Sequence, residues 1–440
     1  MKPRAAFSFD VGPDIGEGHR IRSKALADWL KDDFEILFPD EGTPVDLLVL
    51  DGYGFSSEWI RRQQPRASCI LQIVDTPSGP YVADAIVNPS HDASPSTYPA
   101  FPHTAYRLGS RFRLLRREFL SPIPTQPREG IWFAPGGTDS ARLSAHWIPW
   151  LIHHQPEPIR MALTSSAHDD LIRELNQFQS EFPERFKLCL DADAETIVKE
   201  MDASRIAICT ASGVFWEITA RHLPVAVGFV ADNQTHVYEQ AVNRWGAHDL
   251  GDMRQLSSSR IQDVLAQPQA ITLDTPMDVA TDWSTWCASL LRVPRLRPAT
   301  MADAQTLYDW TMDPIVRSQS LNSGPFPFAH HKQWLESKLS SADCRLFIGE
   351  WHSVPCGMIR FDRMPTGHWK LNYLLAADHR GKGLAKGLVT GGMRAMHGLP
   401  LLAQVKPENT ASLKVFRSAG WTEQLHDGLH HFRTHSDTTE

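Results

Sequence analysis

Residues 14–30, DIGEGHRIRSKALADWL, place His19 after two glycines, Gly16 and Gly18, at the start of an amphipathic helix that also carries Arg22. Glycine lets the backbone approach a ligand closely, and a helix N-terminus offers unpaired N–H groups and positive potential to an anion. An imidazole there, with an ordinary pKa of about 6.5, can take a proton from water near neutral pH. On this turn alone, a tight strand-to-helix connection with a locally packed histidine is the more economical reading. A second stretch, LLAADHRGKGLAKGLV at 374–389, sets Arg380, Gly381, Lys382, Gly383, Leu384 and Ala385 between a strand and a helix in R-x-x-G-x-A spacing. Consecutive backbone N–H groups can wrap a pyrophosphate at such a turn, provided the side chains are small.

These residues need a frame. The chain has 440 residues, too many for one ordinary domain, so two or three separately cored units are expected. It is 42% hydrophobic and 22% charged, with a net charge of −7, and no apolar run is long enough to span a bilayer, which excludes a membrane-embedded reading. The opening MKPRAAFSFD is too short and polar for a signal segment and is interrupted by Asp10, so the cytoplasm is the expected compartment. Six scattered cysteines with no C-x-x-C pair read as reduced thiols, and no metal site is indicated. The acidic balance and the shortness of the basic clusters at 61–66 and 113–119 argue against a nucleic-acid partner.

Apolar runs at 5–10, 45–53, 68–75, 83–90, 130–137, 159–166, 186–193, 205–213 and 223–230, several separated by helical patterns, predict parallel strands buried on both faces. The fold class is α/β here, as two Rossmann-type subdomains, with the Pro-rich 119–130 stretch as the hinge. Ligands belong in the cleft between them, outside the carboxyl ends of the strands. Near 292 the pattern changes to helices followed by three strands, a helix, a strand and a helix, which predicts an α+β unit. The expected boundaries are 1–122, 123–292 and 293–435.

Three further turns fall at predicted strand ends: Gly136, Gly137, Thr138 and Asp139; Ser212 and Gly213 before a helix carrying Glu217; and ADNQ at 231–234. Together with Gly16, Gly18, His19 and Arg22 in G-x-G-H-x-x-R order, and with LGSRFRLLRREF and SGVFWEITARHLP, they resemble the UDP-sugar hydrolase of pseudaminic acid biosynthesis. That family is similar to GT-B glycosyltransferases, and the resemblance covers roughly residues 1–290. It implies inverting removal of UDP from a 2,4-diacetamido-2,4,6-trideoxy-β-L-altropyranose. His19 is then the base for one water on the face opposite UDP. Tyr81 and Asn233 would lie at the sugar, and Gly18, Arg22, Gly137, Ser212, Gly213 and Glu217 would bind UDP. An ordinary half-buried aromatic accounts for Tyr81 as well, and structural pairing is favoured for Arg116. UDP is a good leaving group, so N–H donors near Ser212 and Gly213 matter more than a general acid.

The 374–389 turn, with Asn409, Ser412, Phe416, Gly420 and Trp421 downstream and LRPATMADAQTLYDW at 296–310, closely resembles the GCN5-related N-acetyltransferases (GNAT) over roughly 294–434. The resemblance implies an acetyl-CoA site formed by Leu374, Leu375, the 380–385 turn, Asn409, Ser412 and Phe416. A splayed strand near Leu374 and Leu375 would present a backbone N–H to the thioester carbonyl. The family often has tyrosine where Phe416 stands, and phenylalanine cannot protonate the leaving thiolate. Glu350, Asp362 and His331 are candidate relays for the amine proton, each equally explained by solvation or core packing. Together the two resemblances imply acetylation of the 4-amino group of a UDP-2-acetamido-4-amino sugar, followed by hydrolysis of UDP from the product. An equivalent enzyme for another nonulosonic acid, and a non-catalytic nucleotide-sugar-binding protein, are the alternatives.

Overall fold

The computed structural model describes residues 2–10, 18–75, 81–89, 98, 104–271, 282–321, 324–396 and 399–434. Gly16 and the polar tail from 435 lie outside them. The first unit has β1 (Arg4–Phe9), β2 (Glu35–Leu37), β3 (Val45–Asp51), β4 (Ala67–Ile73), β5 (Ala85–Asn88) and β6 (Ala105–Leu108), of which β1, β3, β4 and β5 are the apolar runs. All pairings are parallel, in the order β2-β1-β3-β4-β5-β6. Six more strands, β7 (Ile131–Ala134), β8 (Ile159–Leu163), β9 (Phe186–Leu190), β10 (Ile206–Thr210), β11 (Val225–Phe229) and β12 (His248–Asp252), build a second parallel sheet in the order β12-β11-β10-β7-β8-β9. Strand order reverses between β1 and β3 in the first sheet and between β7 and β10 in the second. Reversal points of this kind open the crevices in which open α/β sheets bind ligands.

Each sheet is cored on both faces, as its strand composition requires. Phe7, Leu47, Val49 and Leu71 pack on one face of the first sheet while Ala6, Leu48, Leu50 and Ile70 pack on the other. The chain then returns to this unit. Trp283, Trp286, Cys287 and Leu290, from the Trp283–Leu290 helix, join the first sheet's core rather than that of the second unit to which the 123–292 boundary assigned them.

The C-terminal sheet is mixed: β13 (Arg295–Pro298), β14 (Cys344–Trp351), β15 (Val354–Arg363), β16 (Trp369–Leu375), β17 (Leu401–Val405), β18 (Thr422–His426) and β19 (Leu429–Arg433), in the order β13-β14-β15-β16-β17-β19-β18. The parallel pair β16–β17 is matched only at Trp369 with Leu401 and Lys370 with Leu402, so the two strands part before Leu374 and Leu375. This is the splay expected there. The junction with the first unit is tightly bonded. Arg295 reaches Asp84 at 2.7 Å and the carbonyls of Gln64 and Ala67 at 3.1 and 3.0 Å. A Cβ on Gly387 would fall 1.8 Å from the Arg292 carbonyl oxygen, so only glycine lets the Leu384–Ala395 helix lie against the connecting segment.

Candidate functional site

The Gly18–Leu30 helix begins just after β1, and β1 pairs with β3 so that Phe9 stands opposite Asp51. This register brings the helix start onto the end of β3. The His19 ring is 7% exposed, and its Nδ1 lies 2.7 Å from Oδ1 of the fully buried Asp51. Asp51 also accepts from Arg22, at 2.9 Å from Nε and 2.6 Å from Nη2. Held as an acceptor, it fixes the proton on Nδ1 and leaves the Nε2 lone pair as the basic position. Arg22 extends the network to Asp75, just beyond β4, with Nη1 2.5 Å from Oδ1. Burial opposes both charges, but the pairing wins: Arg22 is held well above its ordinary pKa and Asp75 below the usual carboxylate range. Arg22, expected to contact UDP, is thus committed to two carboxylates and fixes the histidine's partner.

Tyr53, in the turn after β3, stands edge-on to His19 with ring centroids 5.0 Å apart, and its hydroxyl donates to Asp75 at 3.0 Å. The Asn233 side chain, from the second unit, lies beside the same hydroxyl. Tyr81 is buried among Val74, Ile86 and Tyr98, and the ring against the imidazole is that of Tyr53.

In the second unit, the Gly136–Gly137 and Ser212–Gly213 turns follow the neighbouring strands β7 and β10 at that sheet's own reversal. Ser212 precedes the Gly213–Ala220 helix without capping it by side chain, and a Cβ on Gly213 would meet no atom within 4 Å, so the helix start opens on free space. Backbone donors there suit an anion. Gly137 accepts from Thr164 N at 2.8 Å, and Asp139 accepts from the N–H groups of Leu143 and Ser144 at 2.9 and 2.8 Å. Asp139 thus secures the following helix, as ordinary loop chemistry would. Glu217 is buried, and its Oε1 accepts from Arg116 at 3.0 and 2.8 Å, the structural pairing favoured for Arg116. Burial pushes the Glu217 carboxyl up, and Arg116 pulls it only partly back.

In the C-terminal unit Gly381 and Gly383 have φ of +77° and +78°, left-handed positions that glycine alone takes without strain. Between them Lys382 lies over the Trp351 ring at 5.3 Å. Leu384 opens the next helix with its side chain buried, and Ala385 packs against the same core. Arg380 bonds Asp313 at 2.9 Å and the Leu375 carbonyl at 3.2 Å, tying the turn to the end of β16. Asn409 caps the Thr410–Ser418 helix by accepting from Ser412 N at 3.1 Å. Phe416 is core, stacked with Phe432 and edge-on to Trp421. A hydroxyl pair that the motif reading missed lies beside it: Tyr373 Oη is 3.0 Å from Ser412 Oγ, and burial raises the Tyr373 phenol. Glu350 is ion-paired to Arg297 at 2.7 Å, and Asp362 to Lys338 at 2.7 Å and Arg360 at 2.8 Å. His331 is buried, burial lowers its pKa, and its Nε2 has no hydrogen-bond partner among the described residues.

Residues 295–422 match the family model of the acetyltransferase (GNAT) domain, so the C-terminal unit is a GNAT domain. Similar solved structures include spermidine N-acetyltransferase from Vibrio cholerae in complex with CoA and spermine, 16% identical, covering 31% of this chain and 91% of that one at a TM-score of 0.29. Another is yncA from Salmonella typhimurium with its cofactor acetyl-CoA, 17% identical, with coverages of 33% and 94% and a TM-score of 0.28. A third is RimL, a ribosomal L7/L12 alpha-N-protein acetyltransferase in complex with coenzyme A, 12% identical, with coverages of 33% and 94% and a TM-score of 0.29. No curated protein matches the chain. Among the described residues no helix is long and apolar enough to cross a membrane.

Proposed function

We propose that the chain is a bifunctional nucleotide-sugar enzyme. Its GNAT domain acetylates the 4-amino group of a UDP-2-acetamido-4-amino-trideoxy sugar with acetyl-CoA, and its paired α/β units hydrolyse UDP from the product to release 2,4-diacetamido-2,4,6-trideoxy-L-altrose. The observation that carries the hydrolytic half is the His19–Asp51 pair at one sheet's reversal, with Asn233 of the other unit reaching the same place. Nε2 of His19 takes a proton from water as its oxygen attacks the anomeric carbon. The bond from that carbon to the UDP oxygen breaks, and UDP leaves with the electron pair. Asp51 stabilises the imidazolium that forms, and the N-terminus of the Gly213–Ala220 helix receives the diphosphate.

In the acetyl half, the Gly381–Ala385 turn holds the CoA pyrophosphate and the parting of β16 from β17 admits the thioester. The sugar amine attacks the acetyl carbonyl, losing a proton to water as the amide forms, and the carbon–sulfur bond breaks with its electron pair leaving on sulfur. Because Phe416 has no proton to give, Ser412, backed by Tyr373, protonates the thiolate. Mass spectrometry of products from a panel of UDP-4-amino sugars incubated with acetyl-CoA tests the whole reading. A mass gain of one acetyl group, followed by UDP and a free diacetamido sugar, is expected. Acetylation without UDP release would remove the hydrolytic half, and an unchanged sugar nucleotide would remove both.

A further inference from the structure

Tyr53 belongs to no sequence motif discussed above, yet its environment is constructed. The residue is 59% exposed, a state in which a large aromatic ring would ordinarily turn freely. Here it is fixed at both ends. The Asp10 carboxylate accepts from the backbone N–H groups of Tyr53 and Gly54 at 2.5 and 3.0 Å, which sets the turn. At the far end the hydroxyl donates to Asp75 of its own unit at 3.0 Å, with the Asn233 side chain of the second unit beside it. Burial of the hydroxyl end and the charge of Asp75 push the phenol up to about 12, so at neutral pH it is a hydrogen-bond donor and not a base. The ring stands against the His19 imidazole, with its apolar body in the open and its polar tip at the contact between the two units.

We infer that Tyr53 is a positioning residue of the hydrolytic site, whose hydroxyl, while donating to Asp75, accepts from a hydroxyl or acetamido N–H of the pyranose and so sets the anomeric carbon over Nε2 of His19. The exposed ring supplies an apolar platform for the C–H face of the sugar, and the fixed hydroxyl supplies direction. A pyranose bearing polar substituents on an apolar ring face is the ligand class that such a surface suits. The turns proposed to receive the diphosphate belong to the second unit, so Tyr53 is assigned to the sugar and not to the phosphates. The inference rests on the hydrolase reading.

Steady-state UDP release from the diacetamido sugar nucleotide, with UDP as product inhibitor, separates this role from a structural one. Tyr53→Phe should raise KM about tenfold while kcat falls by less than about threefold, the loss expected of one hydrogen bond made to substrate and transition state alike. The inhibition constant for UDP should not move. Tyr53→Leu, which also removes the platform, should raise KM further. A KM unchanged in both variants, or a UDP constant that rises in step with KM, overturns the inference while leaving the hydrolase reading in place. Absence of UDP release from any sugar nucleotide by the unaltered chain overturns both.

Discussion

In the first candidate site the proposed groups come from separate places in the chain: His19 from a helix start, Asp51 from the end of β3, Asp75 from beyond β4, and Asn233 from the other unit. Arg22 joins Asp51 to Asp75. In the GNAT domain the corresponding groups are consecutive, Arg380 through Ala385, and what they present is mainly main chain opened by two left-handed glycines. The first site depends on interlocked side-chain charges, so exchanging one group for another of the same size should damage it. The second depends on backbone path and empty space, so adding a single carbon should damage it.

The largest expected effect is on the first site. His19→Ala should slow UDP release by about 10²- to 10⁴-fold, the usual worth of a positioned base, while acetyl-CoA-dependent thiol release stays at its original rate. A parallel loss of thiol release would show that the two sites are not independent. Asp51→Asn preserves shape but no longer enforces the Nδ1 tautomer, and UDP release should fall by about 10²-fold or more. Stopped assays of UDP and free thiol on the same samples read both.

Gly383→Ala is the counterpart in the second site. It forces a side chain onto φ of +78°, at roughly 1–2 kcal/mol of strain, and that strain is relieved only if the turn shifts. Because a shifted turn points its N–H groups away from the pyrophosphate, the KM for acetyl-CoA should rise by about tenfold or more, with UDP release from pre-acetylated substrate unchanged. Titration of acetyl-CoA against both outputs checks the separation.

The smallest effect is on stability. The Asp75 carboxyl is depressed in the folded chain relative to its ordinary value of about 3.9, so the unfolded chain binds the extra proton. The stabilisation this gives is fully present above that ordinary value and is lost as the pH falls through the depressed one. The unaltered chain should therefore unfold at a higher temperature than Asp75→Asn at pH 6, with the gap narrowing in acid. A gap that widens in acid would reverse the sign assigned to the network.

The same contrast governs how much could be read from the sequence. The Gly381–Ala385 turn was legible because its chemistry is local, and the nine long apolar runs became strands because parallel strands need apolar residues on both faces. The strands without such a run are short or polar: β2 is Glu-Ile-Leu, β6 Ala-Tyr-Arg-Leu, β12 His-Asp-Leu-Gly-Asp, β13 Arg-Leu-Arg-Pro and β19 Leu-His-His-Phe-Arg, and β18 is exposed along its whole length. Asp51 and Asp75 ended recognised strands, but only the sheet order shows that one end lies beside His19 and that Arg22 spans both. Tyr81 stands out by its place in a motif, and only the structure shows it packed with Val74, Ile86 and Tyr98 while Tyr53 stands against His19. The return of the Trp283–Leu290 helix to the first core escaped the boundary at 292 because its tryptophans suit either core equally.

Attack of water at the anomeric carbon, with His19 as its base, is the claim on which the hydrolytic half stands. Hydrolysis of the UDP-diacetamido sugar in heavy-oxygen water, followed by phosphorus NMR of the released UDP and immediate proton NMR of the sugar, tests it directly. UDP free of the heavy isotope, with the anomeric configuration inverted in the first sugar formed, is the predicted result. Heavy oxygen in the β-phosphate would place the attack on phosphorus and contradict the role given to His19.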